Sequence, residues 1–193
     1  MPWFHRSFWL GPLLIGGVLC LFWVIVAATP RLREAYRRGL AQTRRERLFL
    51  ASVGFFTAVL VIRVVTIAIH YNIGPFHNVE MHGRHIHHMV WGILLLLFVG
   101  YCWLLEIGTG SRDSFRLAGQ ITSMMYGVAA ALTLDEFALW LNLSDVYWQR
   151  QGRESLEAMA LFGGILAIGV FGVLADAREV EMLAIEVEPR ACK

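Results

Sequence analysis

Residues 8–29 read FWLGPLLIGGVLCLFWVIVAAT, and residues 30–47 read PRLREAYRRGLAQTRRER. The first stretch carries no charge. It matches a membrane-spanning helix, which needs about 20 mostly apolar residues. It also exceeds the apolar core of a secretory signal, about 7–15 residues, and of Arg and Lys only Arg6 precedes it. The second stretch holds Arg31, Arg33, Arg37, Arg38, Arg44, Arg45 and Arg47 against Glu34 and Glu46. An apolar run followed by a dense basic one predicts a retained span with the arginines on the cytoplasmic side. The same segment suits a surface helix on anionic headgroups. Lying between two apolar runs, it does not read as a nucleic-acid site.

Composition agrees with a lipid environment. The chain has 193 residues, 57% of them hydrophobic and 17% charged, and its mean hydropathy is +0.56. Soluble domains average about 25% charged. The length fits one domain. Lys193 is the only lysine, a weak pointer to a GC-rich bacterial source. Cys20, Cys102 and Cys192 lack metal-ligand spacing, and an odd number of cysteines argues against a disulfide framework.

Further apolar runs follow at about 48–70, 85–106, 115–141 and 156–175. The expectation is an all-α polytopic bundle of about five transmembrane helices in a bacterial inner membrane. With 30–47 inside, the N-terminus lies outside, and the tail 176–193 lies inside. Arg112 and Arg116 then fall inside, and the connections around His77 and Asp145 fall outside. The apolar runs are too long for a transmembrane barrel, and they lack its alternation. Gly119, Ser123 and Gly127 recur every four residues, and Gly164, Ile168 and Gly172 form a weaker stripe. Small residues at this spacing let helices approach closely, within the chain or in a homo-oligomer.

Five of the seven histidines lie in 77–88: His77, His82, His85, His87 and His88. A helix starting near His85 puts His85 and His88 on one face, with His82 joining if it starts earlier. At 1.5 Å per residue, Asp135 lies about 30 Å along the fourth span and Arg63 about 22 Å along the second. Arg63, His70, His85, His88, Asp135 and Glu136 can therefore meet in one outer layer. Ionisable residues inside a membrane are costly and mark functional candidates.

Three readings stand open. In the first, His85, His88 and Asp135, with His82 nearby, bind zinc or iron. Glu136 or Asp145 then acts as general base, and Arg63, Arg84 or Arg153 holds an acidic substrate group. That describes a hydrolase of lipid or envelope substrates. In the second, the chain is a non-enzymatic subunit of a larger complex, its histidines being pigment, haem or interface ligands. In the third, it is a small ion- or proton-coupled transporter; in any of the three, His70, His77 and His87 belong to the surrounding polar network. Five spans without a visible inverted repeat argue against a transporter. The bland alternative is a structural ion pair between Arg63 and one of the two acids.

The stretches Gly74-Pro-Phe-His-Asn, His85-Ile-His-His, Leu134-Asp-Glu-Phe-Ala-Leu-Trp-Leu, Asp145-Val-Tyr-Trp and Gly152-Arg-Glu-Ser resemble motifs of bacterial multi-pass membrane proteins of unassigned function. The resemblance covers roughly residues 70–158 and implies no activity. The separated histidine boxes of membrane di-iron desaturases are not matched by one cluster. The paired late histidines of ceramidase-like hydrolases are absent from the last span.

Overall fold

The computed structural model describes residues 3–39, 43–76, 80–81, 84–85, 87–108 and 116–187, with side chains described over 13–36, 44–76, 87–108 and 116–170. The described chain is helical apart from a two-residue ladder. In order come α1 (Trp3–Ala28), α2 (Pro30–Gly39), α3 (Thr43–His70), β1 (Glu80–Met81), β2 (Arg84–His85), α4 (His88–Leu104), α5 (Arg116–Leu134), α6 (Phe137–Asn142), a 3₁₀ turn (Arg150–Gly152) and α7 (Arg153–Val187). Arg44–His70 and Arg116–Leu134 are long and apolar enough to cross a membrane. A third span results if Leu13–Ala28 and Pro30–Tyr36, bent by 101°, count as one. Helix α4 is apolar and shorter, at 17 residues.

Local chemistry sets the boundaries. Proline suits the first turn of a helix, where its missing N–H costs nothing, so Pro30 starts α2 at the bend. Helix α3 stops where Asn72 takes a left-handed φ of 54° and Ile73 donates its N–H back to the Ala68 carbonyl at 2.7 Å. This is the usual closure of the last carbonyls of a helix. The Gly74-Pro75 turn follows.

The centre of the bundle is α3 against α5. Gly127 lies directly on the Ala51 carbonyl, and a Cβ there would stand 2.7 Å from the Phe55 nitrogen. Such backbone contact is open only to glycine. Phe55, Ala58 and Ile62 pack with Val128, Ala131, Met159 and Leu166. Phe55 meets Phe162 edge-on at 5.2 Å, which brings in α7. Helix α4 reaches α5 at Gly92, where a Cβ would lie 2.6 Å from Thr133 Oγ1. In lipid, where apolar surface gains little by burial, close packing of this kind holds helices together.

Four sequence expectations change. The third apolar helix begins at His88, and His85 stands on β2 with Glu80 as its antiparallel partner. The shared helical face of His85 and His88 is therefore lost. The fourth run breaks at Asp135–Glu136 between α5 and α6. The last helix starts at Arg153, ahead of the apolar run from about 156, and Ser155 on it accepts the Ala138 N–H at 2.9 Å. Among the described side chains of α7, the glycines that meet neighbours are Gly163, beside Phe55 and Phe56, and Gly169, beside Leu48; Gly172 lies outside them. Gly164 faces open space and Ile168 is exposed.

Candidate functional site

The break between α5 and α6 creates the site. Asp135 and Glu136 lie in a turn, with Glu136 at φ −109° and ψ 23°. The 100° separation of consecutive helical residues no longer applies there. Both acids thus face the start of α4. Both are buried, Asp135 fully.

Asp135 is held from three sides. Arg63 Nε of α3 lies 2.7 Å from Oδ1, an ion pair whose N–H points off the line between the atoms. Tyr147 OH donates to Oδ2 at 2.9 Å, and His88 Nε2 lies 3.1 Å from the same oxygen. The Arg63 guanidinium also sits over the Tyr147 ring, 5.0 Å from its centroid, an attractive cation–π geometry. Tyr147 OH further meets Thr66 Oγ1 at 3.1 Å. Burial, and after it the charge of Asp135, push the Tyr147 phenol above its ordinary range, because both disfavour phenolate. The Tyr147 phenol therefore stays protonated at neutral pH and serves as a hydrogen-bond donor to Asp135.

Glu136 holds the other imidazole. His87 Nδ1 lies 2.7 Å from Oε1, and the Met89 backbone donates to Oε2 at 3.0 Å. His88 Nδ1 lies 3.5 Å from Oε1, an ion-pair distance. One imidazole thus stands between two carboxylates. The side chains of Arg63, His87 and His88 are 25%, 23% and 25% exposed. The acids are buried, while the groups that touch them reach the surface.

Of the sequence candidates, Arg63, His87, His88, Asp135 and Glu136 come together. His70 is at the edge, stacked on Trp148 at 4.0 Å. Asp145 is exposed, and its Oδ1 accepts the Tyr147 N–H at 3.3 Å. That contact shapes the loop and lies away from the cluster. Arg153 is exposed at the start of α7. His77 and His82 lie outside the described residues, as do the side chains of Arg84 and His85. Tyr147 and Thr66 escaped the sequence reading. Tyr147 reads as an interfacial aromatic, and only the fold of its loop turns it inward. Thr66 lies one helical turn beyond Arg63, a spacing that could have found it.

Among the described residues, no group of three or more His, Cys, Asp or Glu is arranged to hold a metal ion. Asp135 does not fit a metal as it stands. A guanidinium occupies one of its oxygens, and a cation added there would be repelled by it.

A second buried acid sits at the other end of α3. Glu46 accepts from Tyr36 OH at 2.5 Å, from Gln120 Nε2 at 2.7 Å, and from Arg116 Nε and Nη2 at 3.3 Å each. These contacts join α2, α3 and α5. Comparisons with protein-family models, with curated proteins and with solved structures returned no match.

Proposed function

We propose that this chain crosses the membrane five times, through α1, α3, α4, α5 with α6, and α7. Its N-terminus lies outside, and it carries an outward-facing acid–base site. Arg116 on Glu46 supports the topology, since it joins the start of α5 to the basic end of α3. Positive charge at one shared end is what the positive-inside rule requires of the cytoplasmic face. The Asp135 cluster then belongs to the outer face, which gives it access to outer-leaflet lipid or envelope substrates.

The observation that carries the chemistry is His88 between Asp135 and Glu136. A neutral imidazole has one N–H and can donate to only one carboxylate, while a protonated ring donates to both. His88 so placed can relay a proton between these carboxylates and a group that approaches the exposed edge of the ring. Asp135, Tyr147 and Thr66 are positioning residues that fix the ring and the guanidinium. Arg63 supplies the planar donor set that suits a phosphate or carboxylate on the substrate. Positioned acid–base groups of this type contribute about 10²–10⁴-fold to a rate, which suits hydrolysis of a lipid or envelope ester.

The test is infrared difference spectroscopy of the full chain in lipid nanodiscs across the range in which imidazoles titrate. Linked imidazole and carboxyl bands are expected. The component that belongs to His88 should be lost in His88→Gln, the imidazole–carboxyl coupling should be altered in Glu136→Gln, and the whole spectrum should persist in Arg153→Gln. A wild-type spectrum without such bands ends the proposal.

A metal-dependent variant keeps one specific support. The ladder sets Glu80 opposite His85, and His85 lies two residues before His87 in the chain. Zinc or iron would be held there, away from Asp135, and would supply Lewis-acid activation of water. Elemental analysis of the purified chain tests it, with loss expected in His85→Ala and retention in Asp135→Asn. Equal metal content in both variants removes it.

A further inference from the structure

The basic end of the bundle holds more guanidinium than its acids can satisfy. Among described side chains it gathers Arg31, Arg33, Arg44, Arg45, Arg47 and Arg116, against Glu34, Glu46 and Glu106. Glu46 is already occupied by Tyr36, Gln120 and Arg116. Arg45 and Arg47 flank it on α3. Each is half-buried, and each has a buried Nε–H with no hydrogen-bond partner among the described residues. Arg47 Nε lies against Gly119 of α5, so this donor is wedged between two helices. A buried guanidinium donor without an acceptor is costly. An anion seated there would supply the acceptor.

Helix α2 shows where that anion comes from. The chain turns 101° at Thr29, so α2 leaves the direction of α1. Tyr36 latches it to Glu46 at 2.5 Å, and its ring meets Trp23 of α1 at 5.6 Å and Phe49 of α3 at 6.3 Å. Arg31 and Arg33 are exposed on this helix, with Leu32 exposed between them at 45%. An apolar residue among exposed arginines, at the end of spanning helices, is the make-up of a helix lying at a headgroup layer.

We propose that the rim between α2 and the start of α3 binds the phosphate of an anionic phospholipid. Arg45 and Arg47 offer the phosphate a donor on either flank of Glu46, Arg31 and Arg33 hold the surrounding negative surface, and the Tyr36–Glu46 contact keeps α2 in place over it. The proposal needs only that α3 spans the membrane and is independent of the chemistry at Asp135.

The full chain is purified from a mixture of phosphatidylglycerol and phosphatidylcholine, and retained lipid is counted by native mass spectrometry. Wild type is expected to retain phosphatidylglycerol preferentially. Each arginine neutralised should lower that preference about fivefold, from the usual worth of one basic residue near an anionic surface. The variants are Arg45→Gln/Arg47→Gln and Arg31→Gln/Arg33→Gln, with Arg153→Gln expected to behave as wild type. If the first pair unfolds, the second pair, both exposed, carries the test. Equal retention of the two lipids by wild type overturns the proposal, as does unchanged preference in both folded double variants. Displacement of the phosphatidylglycerol by millimolar inorganic phosphate overturns it too, since the site would then be one for free phosphate.

Discussion

Asp135 and Glu46 are buried carboxylates near opposite ends of the α3–α5 pair, and each accepts a hydrogen bond from a tyrosine. Each also meets an arginine, Arg63 or Arg116. The further partners differ. Asp135 has His88, and beyond it Glu136 and His87. Glu46 has Gln120, which neither gains nor loses a proton. Imidazole alone among side chains changes charge near neutral pH without special tuning. The Glu46 contacts fasten helices, while in the proposed function the Asp135 contacts fasten them and also exchange a proton. The arginines differ too. Arg63 is 25% exposed and Arg116 is 56% exposed, so the same pairing is worth more at one end than at the other.

That last difference gives the largest expected effect. Arg63→Gln leaves a fully buried acid without its cation, and breaking a buried pair from one side costs about 3–5 kcal/mol. Arg116→Gln removes a largely solvated partner from an acid that keeps two other donors, and such pairs contribute about 0.2–1 kcal/mol. Unfolding of the two variants in the same detergent by denaturant titration measures both. Equal losses would erase the distinction between the ends. The double variant Arg63→Met/Asp135→Leu should recover much of the loss, because the burden lies in the unpaired acid and an apolar pair leaves none.

The two ends were unequally legible in the sequence. Arg63, His88 and Asp135 could be placed at one height because helical rise is constant, so counting residues along apolar runs measures depth. The break at Asp135–Glu136 could not be read. Leu134 and Phe137 continue the apolar pattern, and periodicity carries no sign of a turn inside it. For the same reason His85 was assigned to a helix it does not join. The Glu46 cluster was hidden differently. Tyr36, Glu46, Arg116 and Gln120 span more than eighty residues, and inside a basic segment a lone glutamate reads as charge balance. Only the backbone approach of α3 and α5, permitted by Gly127, brings those residues together.

A smaller effect sharpens the comparison. Tyr147→Phe and Tyr36→Phe each delete one hydrogen bond to a carboxylate, and bonds to charged groups contribute about 1.5–3 kcal/mol. The two variants should lose similar stability in thermal unfolding. They should part in the pH response. Tyr147→Phe frees the Asp135 oxygen shared with His88 and should shift the infrared titration, whereas Tyr36→Phe should leave it where wild type has it. A shift in both would mean that the ends communicate through α3 and are not independent.

The smallest expected effect is at Asp145. A catalytic base at that position could not tolerate loss of its charge. The geometry gives its carboxylate another task, since Oδ1 accepts the N–H of Tyr147 two residues on and shapes the turn that brings the phenol back to Asp135. Asparagine keeps that acceptor, as short polar side chains do in such turns. Asp145→Asn should therefore stay within about 0.5 kcal/mol of wild type, the usual range for an exposed position, with the infrared titration intact. Asp145→Ala removes the acceptor, and part of the Tyr147→Phe phenotype should appear with it. If Asp145→Asn abolishes the titration while Asp145→Ala leaves Tyr147 in place, the proton is handled in the loop, and the contrast between the two ends has been drawn around the wrong acid.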